Sequence, residues 1–167
     1  MRILIIRHGI AEDREAFAKS AQDDALRPLT KEGLKKMRKV ARGLAQVVPK
    51  VDVIASSPLV RAVQTAELVS QAFDGVRAVQ IAALSPRKPP AQLLEWLNAH
   101  PPDAVVALVG HEPHLSTFSC WLLTGLQESF ITLKKGGAVL IEAANPVTAG
   151  RAKLLWSAKP SQLRRID

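Results

Sequence analysis

Arg7-His8-Gly9 follows directly on the apolar run Ile3-Leu4-Ile5-Ile6. A histidine at the end of a buried strand is held rigidly and faces the crevice beyond the sheet. Its neutral imidazole can attack phosphorus, provided one nitrogen is unprotonated and the other is held as a donor. Arg7 can grip phosphate oxygens with its planar fork. Gly9 permits a sharp exit and lets a ligand approach the backbone. Arg61 falls in the first turn expected after Ser57-Pro58, where free backbone N–H groups and the helix dipole favour an anion. His111 ends the run Val105 to Val109 and precedes Pro113, which repeats that geometry. Taken singly, each of these residues also fits a plainer part: a strand-end histidine, a solvated arginine or a packing histidine. His100, at a helix end beside two prolines, and His114, inside the helix that Pro113 opens, fit the plainer parts better.

The elements that would position these residues can be read from spacing. Ile3 to Ile6 is a short continuous apolar run, as in a central strand covered on both faces. Residues 9–29 are polar and irregular, which predicts a long loop of the functional or mobile kind. Thr30 caps a predicted helix carrying Leu34, Met37, Val40, Ala41, Leu44, Val47 and Val48 at helical spacing, stopped by Pro49. Val51 to Ala55 predicts a second strand. Ser57-Pro58 reads as an N-cap with proline at the first helical position. Residues 77–81 read as a weak strand, 91–99 as a helix and 104–109 as the strongest strand. Pro113 opens a helix with Leu115, Phe118 and Leu122 inside. Residues 138–142 and 152–156 read as late strands that can form an antiparallel hairpin at one edge. This alternation predicts one α/β domain over residues 1–167. It is a three-layer sandwich with a mainly parallel central sheet flanked by helices.

Composition narrows the function. Apolar residues make up 47% of the chain, enough for a core without staples. The single cysteine, Cys120, excludes an internal disulfide and points to a reducing compartment, so a cytoplasmic location is expected. No run reaches the length of a membrane span. The net charge of +8 is spread in short pairs such as Lys134-Lys135, with no basic tract and no tyrosine. A phosphorylated ligand or partner fits that charge, and no nucleic-acid or membrane partner is expected.

Four segments occur in order: Ile6-Arg7-His8-Gly9; Arg27-Pro28-Leu29-Thr30 with Gly33; Ser56-Ser57-Pro58-Leu59-Val60-Arg61-Ala62 with Gln64-Thr65-Ala66; and Val109-Gly110-His111-Glu112-Pro113. Together they resemble the histidine phosphatase superfamily, and the short length resembles its phosphohistidine phosphatase branch. The resemblance implies that His8 is transiently phosphorylated while Arg7, Arg61 and His111 neutralise the transferring group. It implies that Gly9 and Arg27 help hold the substrate, Arg27 by stabilising the phosphate-side loop. It implies no cofactor and no metal.

Larger relatives carry a carboxylate acid in a loop that reads Ala82-Ala83-Leu84-Ser85-Pro86-Arg87-Lys88 here, with no Asp or Glu. An alcohol leaving group needs a proton, whereas a phosphohistidine is less demanding. The expected substrate is therefore a phosphohistidine-bearing protein. The alternatives are a broad phosphomonoesterase acting on a small phosphorylated substrate, with Glu12, Asp13, Asp24 or Glu112 as acid, and a catalytically weak phospholigand-binding module. Glu112 could instead cap the helix after Pro113.

Overall fold

The computed structural model describes residues 1–166. Six strands form one sheet in the order β3-β2-β4-β1-β5-β6. They are β1 (Arg2–Arg7), β2 (Val53–Ser56), β3 (Ala78–Gln80), β4 (Val105–Gly110), β5 (Ala138–Ala143) and β6 (Ala152–Ala158). β1, β2, β3 and β4 run parallel, whereas β5 pairs antiparallel with β1 and with β6. The expected α/β sandwich with an antiparallel edge hairpin is the observed architecture.

Alternation along β1 divides the core. Leu4 and Ile6 pack on one face with Met37, Val40 and Leu44 of α2 (Lys31–Val47), Val69 of α3 (Val60–Ala72) and Leu163 of α6 (Pro160–Ile166). Ile3 and Ile5 pack on the other with Leu93 and Leu97 of α4 (Pro90–Asn98) and Leu115 and Phe118 of α5 (His114–Thr124). A strand buried on both faces is apolar at every position, which is why β1 reads as an unbroken run.

Two local expectations are corrected, and one helix is added. The stretch 9–29 is not all loop: it holds α1 (Arg14–Ala18), capped by Asp13, and a 3-10 helix at Asp24–Leu26, capped by Asp23. Both are short and built from local polar caps, so they leave little apolar periodicity to read. α3 begins at Val60, not at Pro58, and Ser57 is not its cap. α6 was not expected; its Leu163 carbonyl lies where a Cβ on Gly43 would sit, so the bare glycine face of α2 admits it.

Candidate active site

Register brings the site together. Arg7 pairs with Gly110 across β1 and β4, and the His8 N–H donates to the Gly110 carbonyl at 3.0 Å. The next residues on each strand, His8 and His111, therefore emerge side by side, with ring centroids 5.0 Å apart. They open on a cavity of about 520 Å³ at the carboxyl ends of the parallel strands, lined also by Arg7, Arg27, Arg61, Lys135, Glu12 and Glu112.

His8 is 6% exposed. Its Nδ1 lies 2.7 Å from the Gly9 carbonyl oxygen. A carbonyl only accepts, so Nδ1 carries the hydrogen and Nε2 carries the lone pair. Burial pushes the His8 pKa down to about 4, against the Gly9 hydrogen bond but helped by the charges of Arg61, Arg7 and Lys135. Burial likewise takes His111 down to about 3, with His8 and Arg61 adding to the fall. Both rings are neutral near pH 7.

The arginines are held from behind. Arg7 Nη1 donates to the Leu133 carbonyl at 2.7 Å. Arg61 donates from Nη1 to the Asp24 carbonyl at 2.9 Å and from Nη2 to Asp24 Oδ2 at 3.1 Å. Arg27 donates from Nε to Asp24 Oδ1 at 2.8 Å and from Nη1 to the Glu12 carbonyl at 2.7 Å. One carboxylate thus spaces two buried guanidiniums. Burial pushes the Asp24 pKa up, but the Arg27 hydrogen bond and the charges of Arg61, Arg27 and Arg14 outweigh it, and the net shift is downward. The Nε atoms of Arg7 and Arg61 and Nδ1 of His111 are buried without a partner. A cluster of cations and unpaired buried nitrogens at two neighbouring strand ends is suited to an oxyanion.

The model of the histidine phosphatase superfamily (branch 1) matches residues 3–86, half of the chain. The chain belongs to the histidine phosphatase superfamily. Its reaction class is accordingly that of a phosphatase. An uncharacterized protein of Picosynechococcus sp. (strain ATCC 27264 / PCC 7002 / PR-6) is 36% identical over 141 residues, 83% of each chain. Among solved structures, the protein histidine phosphatase SixA complexed with tungstate superposes with a TM-score of 0.82 at 24% identity, covering 98% of this chain and 99% of the other. A mutant phosphoserine phosphatase from Entamoeba histolytica, in complex with phosphoserine, gives 0.69 at 18% identity, covering 97% and 98%. At these identities the structural likeness is one of fold.

The other expected residues of this phosphatase fall as follows. Gly9 does not line the basic cavity; it packs near Leu29 and Met37, and its N–H donates to Thr65 Oγ1 at 3.0 Å. That bond ties the residue after His8 to α3. Asp13 lines the cavity and also caps α1, its Oδ1 accepting from the Ala16 N–H. Glu112 Oε1 accepts from the Ser116 N–H at 3.1 Å, so it does cap the first turn of α5. Glu12 lines the cavity, and among the described residues its carboxylate makes no hydrogen bond. His114 is buried and lines a neighbouring, mostly apolar cavity instead.

Sequence reasoning missed Lys135 and Ser57. In the sequence Lys135 stands out only as half of the Lys134-Lys135 pair. The Gly136 N–H donates to the carbonyls of Arg7 and His8, which sets the turn before β5 against the end of β1. An antiparallel neighbour of β1 must start where β1 ends, and that signal could have found Lys135. No three His, Cys, Asp or Glu side chains cluster as metal ligands among the described residues. No described helix is long and apolar enough to cross a membrane.

Proposed function

We propose that this chain is a metal-independent phosphatase that takes the phosphoryl group onto His8 Nε2, with phosphohistidine on a protein as its preferred substrate. The observation that carries the reading is the tie of His8 Nδ1–H to the Gly9 carbonyl, which leaves a neutral Nε2 lone pair beside Arg7, Arg61 and His111. In the first step the bond from phosphorus to the substrate's imidazole nitrogen breaks as the bond to Nε2 forms, and the leaving imidazole takes a proton from water. Water then attacks phospho-His8, releasing phosphate and restoring the ring. Arg7, Arg61 and His111 hold the three equatorial oxygens, and no cation is required for charge neutralisation.

Phosphohistidine is favoured over an alkyl ester because Pro86 lines the cavity from the loop where larger relatives carry the acid. Of the four carboxylates considered, Asp24 is occupied by two arginines and serves to position them. Asp13 and Glu112 each commit one carboxylate oxygen to a helix cap, so among the described residues Glu12 is the cavity carboxylate with neither oxygen engaged. The name of the SixA relative, a protein histidine phosphatase, supports the same substrate. The second reading, a small-molecule phosphomonoesterase acting through Glu12, rests on that unengaged carboxylate.

The test compares kcat/KM, in EDTA, for a phosphohistidine protein, p-nitrophenyl phosphate and a sugar phosphate. The expected order is phosphohistidine first, the activated ester second and the sugar phosphate last, unchanged by EDTA. A sugar phosphate that ranked first would favour the phosphomonoesterase reading. Activity lost in EDTA and restored by a divalent cation would refute the metal-independent step.

A further inference from the structure

β2 and β4 are parallel neighbours, with Ser56 paired to Val109, and the Ser57 N–H donates to the Val109 carbonyl at 2.9 Å. β4 lies between β1 and β2, so His111 at its end has His8 on one side and Ser57 on the other. Ser57 Oγ lies 2.8 Å from His111 Nε2 and accepts from the Leu59 N–H at 3.3 Å. Ser57 is fully buried.

A hydroxyl has one hydrogen and two lone pairs. The Leu59 N–H uses one lone pair. Among the described residues, the only acceptor within reach of the hydroxyl hydrogen is His111 Nε2. If His111 donated from Nε2 instead, the serine hydrogen would be stranded in a dry site, which is costly. Burial keeps His111 neutral, so the ring carries a single hydrogen. With Nε2 accepting from serine, that hydrogen sits on Nδ1, a buried atom with no protein partner.

We propose that Ser57 is a positioning residue that fixes His111 as the Nδ1–H tautomer, so that the ring offers the phosphoryl group a donor and not a lone pair. This rests on the reading of the cavity as a phosphoryl site. The two histidines are then set in opposite senses. Gly9 holds His8 by Nδ1–H and leaves a nucleophilic Nε2; Ser57 holds His111 at Nε2 and leaves a donating Nδ1–H. Neither ring needs to change protonation before transfer.

The test is a two-bond proton–nitrogen correlation spectrum of histidine-labelled protein near pH 7.5, with a parallel tungstate titration, on the wild type and Ser57→Ala. His111 is expected to be protonated at Nδ1 in the wild type. In Ser57→Ala it is expected to become a tautomer mixture, with tungstate affinity weakened about tenfold, the size of one hydrogen bond to a charged group. A wild-type His111 protonated at Nε2 would overturn the proposal even with tungstate bound, and that measurement does not depend on the variant folding. An unchanged tautomer and affinity in Ser57→Ala would also overturn it. Wild-type protein that fails to bind tungstate would instead refute the phosphoryl site itself.

Discussion

At the scale of single residues, the site depends on how each polar group is pinned from the side away from the cavity. Arg61 is 4% exposed, yet both its terminal nitrogens bond Asp24, one to the backbone carbonyl and one to the carboxylate. A lysine would keep the charge but could not make both contacts and still reach an oxyanion with a planar fork. Arg61→Lys is therefore expected to lower kcat/KM by more than roughly tenfold, in line with the roughly 2.7–4 kcal/mol attached to one oxyanion donor. The check is steady-state kinetics on p-nitrophenyl phosphate, and near-normal turnover would place Arg61 outside the reacting centre. His8, Arg7, Arg61 and His111 could be singled out because they fall in ordered segments that together resemble one family, although each alone also fits a plainer part. Ser57 and Lys135 could not, because a serine before a proline and a lysine in a pair have common local explanations. Only the strand register reveals what they touch.

At the scale of elements, the nucleophile's loop is tied to α3 through Thr65. Its hydroxyl accepts from the Gly9 N–H at 3.0 Å and donates to the Arg61 carbonyl at 2.7 Å. Gln64 on the same helix accepts from the Leu29 N–H at 2.7 Å, and α2 starts where Thr30 caps Gly33 at 2.8 Å. A Cβ on Gly33 would lie 2.0 Å from the Ile10 carbonyl oxygen, so only glycine lets α2 close on the chain leaving β1. Thr65→Val keeps the shape and leaves a buried N–H unpaired, at a cost of about 1–3 kcal/mol. The expected result is a lower midpoint in denaturant with an unchanged slope, together with reduced turnover as Gly9 and His8 shift. A variant as stable and as active as the wild type would show that this link does not hold the loop. α2 could be read from its helical period, and β1 and β4 from their unbroken apolar runs, which strands buried on both faces require. α1 and α6 could not, because short helices owe their existence to caps and to docking on Gly43.

At the scale of the whole molecule, buried histidines make stability depend on pH: burial lowers the pKa of His114 as well as those of the two site histidines, His8 and His111. Their ordinary value is 6.5, and in the folded protein His8 and His111 stand at about 4 and about 3. Between pH 6.5 and 4 the unfolded chain binds protons that the folded chain refuses, so stability rises with pH across that window and falls on acidification. The lowered carboxylates, Asp24 and Asp52, act in the same direction only near and below their ordinary value of 3.8, outside that window. The Tm is expected to fall between pH 7.5 and 5, and to fall less when His8 and His111 are both replaced by asparagine. Equal slopes in the two proteins would show that these histidines titrate normally in the folded state.

The most direct measurement of the central claim is a trap of the phosphorylated intermediate. Enzyme mixed with a radiolabelled substrate and quenched in denaturant should retain a label that survives alkali, is lost in acid and maps to His8. His8→Ala should carry no label and show no turnover, with circular dichroism unchanged. A His8→Ala variant that turns over at a near-normal rate, or a label found on another residue of the wild type, would contradict covalent catalysis by His8.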